Sequence, residues 1–437
     1  MSRRERTIRK LIAWITTLLF HRVEVRQEHG LTATGPLLVN ASHFGGFSDP
    51  LVLIRAMDRV PRFIGRDVIW KFPIVRNIAN WFRAIPVHKS DDGGPSSNDQ
   101  MFGSTYAALA EGDLVTIFPE GITVDDPQIA HIKTGSARIA LGARASGVHG
   151  ITLMSAGIHY ENKAALRSDV FIDVGYPLSL DEWVAENIPD GEPQDASNRE
   201  AVVALTAEME KRLRWAAPDF DNWAEARNLT NASDVALRKF DGSTPDVGHG
   251  DRERLARLLD DAPDRDKTAV SAATEIYQSE LDAMGLDDET FVSALRTKPA
   301  FLWNIVKDIV IGLLLLPFAL VGLIVNIVPM TLVWLIGKAR VDDAMMATVK
   351  PLGAIFVFAV TWSLWLYWTW STSGFDTFAA MLVLLPFYLF ALIALFERLT
   401  LLFAAIRVLT RSRSVTQVYE QLHRDRVGVV EAVVQAV

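Results

Sequence analysis

The sequence predicts an α/β domain built on a mixed, mostly buried sheet flanked by helices, followed by a mainly helical middle segment and an α-helical membrane domain. Three observations carry this reading. Between Arg22 and Leu180, short apolar runs alternate with helix-length stretches, the pattern of a sheet whose strands are joined through helices. From Asp181 to Pro299 the chain becomes more polar and helical in pattern. Beyond Ile309, long stretches lack Asp, Glu, Lys and Arg, and each is long enough to cross a hydrocarbon core of ~30 Å.

The first element is residues 1–21, MSRRERTIRK followed by LIAWITTLLF. A basic start and a short apolar run resemble a signal peptide, but no small-residue cleavage site follows. The expectation is an uncleaved amphipathic helix that rests on an anionic membrane surface through Arg3, Arg4, Arg6, Arg9, Lys10, Trp14 and Leu18; an ordinary core-packing helix is the alternative. His21 to Arg26 then alternates like a strand. Within the α/β domain, residues 22–180, the strand candidates are GPLLVNAS, RFIGRD, RAIPVHK, DLVTIFPEG, HGITLMSAGIHY and VFIDVGYPL.

Residues 181–300 form the helical middle segment, in which the charged stretch DDAPDRDKTAV is expected to be a linker. The sequons at Asn228 and Asn231 read as chance matches in a cytosolic segment. Residues 301–410 are the transmembrane domain. Within it, 351–370 and 377–396 are expected to span. Basic residues Lys338, Arg340, Lys350, Arg411 and Arg413 flank these spans while STSGFD has none, so Ser371 to Asp376 is expected outside. For the α/β domain to lie inside as well, 309–337 should enter and return as a broken hairpin with Asn326 and Pro329 at its apex; a single crossing, which would put Lys338, Arg340 and Lys350 outside, is the alternative. Residues 411–437 then make a cytoplasmic tail, and the whole is an integral membrane protein, of the inner or plasma membrane if bacterial.

A chain of 437 residues exceeds one hydrophobic core. Its net charge of −8 argues against a general nucleic-acid binder, which needs basic surface to neutralise phosphates. It has no cysteine, which removes disulfides, thiolate metal sites and a cysteine nucleophile.

The chemistry concentrates in NASHFGGFSDP, Asn40 to Pro50, directly after the apolar run PLLV. His43 and Asp49 stand six residues apart across two glycines and a serine, so the loop can fold back and let the carboxylate orient the imidazole for proton abstraction from a hydroxyl. An isolated pair of this kind is more often a capping Asp beside an incidental His. Downstream, Phe118-Pro119-Glu120-Gly121 makes a strand-to-loop turn, and Lys133 with the amides around Thr134, Gly135 and Ser136 opens a helix suited to a phosphate. Alone, Lys133 would read as a solvated surface lysine. Ser42 and Ser48 lack a G-x-S-x-G elbow and are poor nucleophiles.

Together these blocks resemble the glycerolipid acyltransferase superfamily: the His…Asp block, Phe63 to Ser90, the FPEG block and Ile151 to Tyr160 occur in the family's order. Five residues rather than four separate His43 from Asp49, and Ile122-Thr123 replaces Thr-Arg after FPEG. Both features resemble the fungal-type glycerol-3-phosphate/dihydroxyacetone-phosphate acyltransferases and their bacterial relatives, which also carry C-terminal membrane segments; the polar stretch Arg340 to Pro351 is reminiscent of the same branch.

The resemblance implies that His43 is the general base and Asp49 its orienting partner. Glu120 and Gly121 would help position the acceptor, and Arg66, Lys89 and Lys133 would contact phosphate. The implied reaction is direct acyl transfer from acyl-CoA or acyl-ACP, as co-substrate, to glycerol 3-phosphate or dihydroxyacetone phosphate in phospholipid synthesis, with no cofactor and no metal. The implied partners are membrane lipids, the acyl donor and the phosphorylated acceptor, with no nucleic acid; nothing in the sequence marks an oligomeric state. A lysophosphatidate or other lysophospholipid acceptor is the enzymatic alternative, and a catalytically silent lipid-binding membrane protein the alternative of another class.

Overall fold

A computed structural model of the chain describes residues 3–27, 35–71, 73–88, 99–123, 125–239, 247–295, 298–411 and 416–437. Two compact units divide it. The first comprises Met1–Asp219 with Val341–Pro351, and the second Phe220–Arg340 with Leu352–Val437.

The first unit runs α1 (Arg3–Leu19), β1 (Phe20–Gln27), β2 (Leu37–Ala41), α2 (Ser48–Ala56), β3 (Arg62–Arg66), α3 (Pro73–Trp81), β4 (Ile85–Val87), α4 (Asp99–Ala110), β5 (Leu114–Ile117), α5 (Gly135–Ala145), β6 (Thr152–Tyr160), β7 (Ser168–Val174), β8 (Leu178–Ser179), α6 (Leu180–Asn187) and α7 (Arg199–Ala216). The strands form one sheet in the order β1-β7-β6-β2-β5-β3-β4, with β8 paired to β6. The sheet is mixed: β6, β2, β5, β3 and β4 are mutually parallel, whereas β7 is antiparallel to β6. Each predicted strand run is a strand, as the alternation of apolar runs with helices expects.

The central strand β2 is buried at every position, which explains its unbroken apolar run: helices cover both faces of such a sheet, so no face calls for polar side chains. Leu38, Val115 and Leu153 from β2, β5 and β6 meet Ala137, Ile139 and Leu141 of α5 and Leu205, Met209 and Leu213 of α7 in one core. The unit therefore extends beyond residue 180. His159 Nε2 lies 2.8 Å from the Ala216 carbonyl, which ties the end of α7 to β6. Helix α1 buries Ile8, Ile12, Thr16 and Leu19, while Leu11 and Trp14 on another face are 41% and 43% exposed.

The second unit contains α8 (Trp223–Leu237), α9 (His249–Asp260), α10 (Asp264–Met284), α11 (Asp288–Leu295), α12 (Lys298–Ile336), α13 (Asp343–Ser373), whose first turns belong to the first unit, α14 (Phe375–Arg411) and α15 (Thr416–Ala436). Helices α8 to α11 and α15 share a core that includes Tyr277, Phe291, Leu422 and Val429. The stretch DDAPDRDKTAV, expected as a linker, is the end of α9, a tight turn and the start of α10, and residues 411–437, expected as a cytoplasmic tail, contain α15, which packs into this bundle.

Helices α12, α13 and α14 are each long and apolar enough to cross a membrane. The expected broken hairpin at 309–337 is absent: α12 is one helix from Lys298 to Ile336 with Pro317 and Pro329 inside it. The expected apex residue, Asn326, is accommodated because its Nδ2 donates to the Gly322 carbonyl at 2.9 Å and its Oδ1 accepts from Trp362 Nε1 at 2.9 Å. A polar residue with both ends of its amide satisfied does not need to break a helix.

Candidate active site

Three adjacent parallel strands, β6, β2 and β5, are held in register, with Val39 opposite both Thr116 and Met154. Their carboxyl ends therefore adjoin, the edge where open α/β sheets place their sites. β2 delivers His43, β5 delivers Phe118 to Gly121, and β6 ends in Tyr160.

Ser42 anchors the loop after β2. Its N–H donates to the Ala156 carbonyl at 3.1 Å, and its buried hydroxyl accepts from the Ile158 N–H at 2.9 Å. That hydroxyl is a structural acceptor. The chain then turns through Gly46, at φ +57°, a left-handed conformation that glycine adopts without strain, and brings Asp49 back into the first turn of α2.

His43 Nδ1 lies 2.7 Å from Asp49 Oδ2. Asp49 is fully buried, and an unpaired buried carboxylate would cost several kcal/mol. Here its oxygens are compensated: the Gly45 N–H donates to both at 3.0 Å, and Tyr160 Oη donates to Oδ1 at 2.7 Å. Burial first, and the Asp49 carboxylate second, hold the Tyr160 hydroxyl well above the usual phenol range, so it remains a donor. Because an ionised carboxylate only accepts, Nδ1 carries the imidazole proton and Nε2 keeps the lone pair needed by a general base. The His43 ring stacks on Phe118 at 4.2 Å between centroids, and Phe118 in turn faces Phe63 at 6.2 Å.

Glu120 is 2% exposed. Its Oε1 accepts from the His43 N–H at 2.9 Å and its Oε2 from the Ala130 N–H at 3.0 Å. It thus joins the β2 and β5 loops. Burial raises its pKa, and the two amides and His43 oppose that rise. Gly121 has φ +69°. A Cβ there would stand 2.6 Å from Lys133 Nζ, so Lys133, whose N–H donates to the Pro119 carbonyl at 2.9 Å, brings its ammonium over the FPEG turn. It directly precedes Thr134, the N-cap of α5, whose side chain makes no capping bond. Ser136 in the first turn is 1% exposed, and its hydroxyl has no hydrogen-bond partner among the described residues.

The structure therefore gathers His43, Asp49, Glu120, Gly121 and Lys133. Arg66 ends β3, with β5 between that strand and β2, and is exposed. Lys89 lies outside the described residues. Sequence reasoning assigned no role to Phe63, Phe118 or Tyr160, although all three stand inside the quoted blocks. For Phe118 and Tyr160, an aromatic residue at the carboxyl end of a strand was the available signal.

Residues 22–158 match the family model described as Acyltransferase. This segment is similar to acyltransferase domains. The match begins in β1 and ends two residues before Tyr160, so it spans His43, Asp49 and Glu120. Two curated proteins are similar to the chain. Glycerol-3-phosphate O-acyltransferase 2 of Saccharomyces cerevisiae is 28% identical over 234 residues, covering 50% of this chain and 30% of that protein. Lyso-ornithine lipid O-acyltransferase of Rhizobium meliloti is 30% identical over 148 residues, covering 32% of this chain and 48% of that protein. The chain thus spans less than half the length of the curated relatives it matches. Among solved structures, the 1-acyl-sn-glycerophosphate (LPA) acyltransferase PlsC from Thermotoga maritima matches at 18% identity and a TM-score of 0.33, covering 49% of this chain and 83% of that one. The likeness to one fungal glycerol-3-phosphate acyltransferase and one bacterial lysolipid acyltransferase agrees with the superfamily expected from the four ordered blocks of the acyltransferase domain.

Proposed function

We propose that the protein transfers a fatty acyl group from acyl-CoA or acyl-ACP to the hydroxyl of glycerol 3-phosphate or dihydroxyacetone phosphate at a membrane surface. The observation that carries the proposal is the His43–Asp49 pair, 2.7 Å apart at the end of a buried parallel strand, with its carboxylate fixed by Gly45 and Tyr160.

His43 Nε2 takes the acceptor's hydroxyl proton as the oxygen forms a bond to the thioester carbonyl carbon. The tetrahedral intermediate then expels the thiolate, the C–S bond breaks, and the proton on His43 passes to sulfur. Ester and free thiol are the products, and His43 returns to its starting state. Asp49 stabilises the imidazolium formed between these steps. Glu120 acts on the acceptor indirectly, through the two loops it joins. Lys133 supplies positive charge for the acceptor phosphate, with Gly121 leaving space for its ammonium; Arg66 and Lys89 are secondary phosphate candidates. The chain's own residues suffice for each proton transfer, with no resident cofactor or metal in the scheme. The catalytic domain faces the cytoplasm, where acyl thioesters are supplied.

The small phosphorylated acceptor is favoured by the likeness to the yeast enzyme, which extends over 234 residues and is longer than the family match over residues 22–158. The likeness to the bacterial enzyme over 148 residues supports a lysolipid acceptor instead. A screen of membranes containing the protein with radiolabelled glycerol 3-phosphate, dihydroxyacetone phosphate and lysophosphatidate decides between them. Transfer to either of the first two is expected; transfer to lysophosphatidate alone would move the protein to the lysolipid reading. His43→Ala should lower the rate by at least about 10²-fold, the lower end of what a positioned base contributes. Full activity in that variant would remove His43 as the base.

A further inference from the structure

The loop between His43 and Asp49 is completed by residues three hundred positions downstream. The Phe47 N–H donates to Thr348 Oγ1 at 3.2 Å, and Ser48 Oγ donates to the Ala347 carbonyl at 3.4 Å. Gly46 lies so close to Thr348 that a Cβ would collide with its hydroxyl. Phe47 is the N-cap of α2, where no side chain of the loop itself makes a capping bond. Such a helix start leaves amides in need of an acceptor, and Thr348 satisfies the one at Phe47.

The downstream segment is itself fixed. Asp342 Oδ1 accepts from the Met345 N–H at 2.6 Å and caps the start of α13. Met346 and Ala347 are 6% and 1% exposed. Lys350 Nζ donates to the Ala164 carbonyl at 3.1 Å, in the turn that follows β6, the strand ending in Tyr160. Two bonds to the His43–Asp49 loop and one to the turn beyond Tyr160 make Val341–Pro351 part of the unit that holds the site, as its packing also indicates.

We propose that Val341–Pro351 is a working part of the acyltransferase unit, with Thr348 as a positioning residue that holds the His43–Asp49 loop in its reactive geometry. The inference rests on the acyl-transfer reading above. Phe47 and Ser48 directly precede Asp49, so freeing them loosens the carboxylate that orients His43, while the surfaces that bind donor and acceptor stay unchanged. The catalytic apparatus is then discontinuous in sequence, and a chain ending before Val341 lacks one of its parts.

Thr348→Val keeps the side chain's shape and removes the acceptor. In the full-length, membrane-embedded protein it should lower kcat about tenfold, a fraction of the ~10²-fold that a 1 Å misplacement costs, with KM for both substrates nearly unchanged. Thr348→Ser, which retains the hydroxyl, should restore kcat to about the wild-type value. Deuterium exchange of the peptide covering residues 44–50 should rise in Thr348→Val and stay at the wild-type level in Thr348→Ser. Unchanged exchange and unchanged kcat in Thr348→Val would overturn the proposal, as would a loss confined to KM. If Thr348→Val does not accumulate, Ser48→Ala removes the companion bond, and unchanged exchange of the same peptide there overturns it equally. The exchange readout needs no substrate, so a wild-type protein without acyl-transfer activity would sink the functional reading while still deciding whether the clamp exists.

Discussion

Both oxygens of Glu120 are engaged by backbone amides, those of His43 and Ala130, so the side chain acts on the site through the loops it joins. Glu120→Gln keeps the shape but offers one acceptor oxygen and turns an NH₂ group toward the other amide. Leaving one buried amide unsatisfied costs about 1–3 kcal/mol, and the loss should depend on pH. Burial raises the folded carboxyl's pKa, so the folded protein holds this proton more tightly than the unfolded chain does. The resulting stabilisation is fully present below the unfolded value of about 4.3 and is lost as pH rises through the higher folded value. Wild-type advantage over Glu120→Gln should therefore narrow from acid toward neutral pH in thermal unfolding of the two proteins side by side; an advantage that widened over that range would contradict the raised carboxyl. His43, Asp49 and the FPEG turn were legible in sequence because each motif gathers its chemistry within a few residues. Tyr160 and Thr348 were not, because their bonds to Asp49 and Phe47 span 111 and 301 residues, and a tyrosine at a strand end or a threonine in a helix reads as ordinary until the fold brings it into contact.

At the scale of elements, the site depends on β6 keeping its place between β2 and β7. Gly157 lies in the middle of β6, and a Cβ there would collide with the backbone carbonyl of Ala216. Neither side can yield, since His159 Nε2 and the Ala216 carbonyl already meet at 2.8 Å and Leu213 is fully buried. Gly157→Ala should destabilise the protein by about 3 kcal/mol, the upper end for overpacking. Gly103→Ala on α4 has open space around it and should be neutral or stabilising by about 0.5–1 kcal/mol, because helix interiors favour alanine. Thermal unfolding of the pair checks both, and equal melting temperatures would refute the packing argument. The strands could be read from the sequence since buried parallel strands leave unbroken apolar runs. The attachment of α7 to the sheet could not, because its apolar face fits an independent bundle equally well. The hairpin expected at 309–337 failed for a related reason: proline and asparagine in an apolar stretch suggest a break only while the partners that satisfy them, Gly322 and Trp362 for Asn326, are out of view.

At the scale of the molecule, the flanks of the apolar helices constrain how many of them cross a membrane. Helices α8, α10 and α11 precede α12, and α15 follows α14, yet Tyr277, Phe291, Leu422, Val429 and Val433 share one core. Arg426 Nε of α15 also donates to Asp288 Oδ1 of α11 at 2.7 Å, in a cluster that includes Arg238 and Tyr277. A shared apolar core with a buried ion pair lies on one side of a bilayer, so the chain between α11 and α15 leaves and returns to the same side. An even number of complete crossings is then expected, with α12, α13 and α14 not each crossing once. The chain has no cysteine, so introduced cysteines are unique labels. Thr268→Cys and Arg424→Cys, both at exposed positions on opposite flanks, should react with an impermeant maleimide from the same face of sealed vesicles; labelling from opposite faces would overturn the bundle. Ser371→Cys identifies the crossing pair. The lack of basic residues from Ser371 to Asp376, set against Lys338, Arg340, Lys350, Arg411 and Arg413, predicts labelling from the face opposite to Thr268 and Arg424, so that α13 leaves and α14 returns. Labelling of all three positions from one face would mean that α13 and α14 are not that pair.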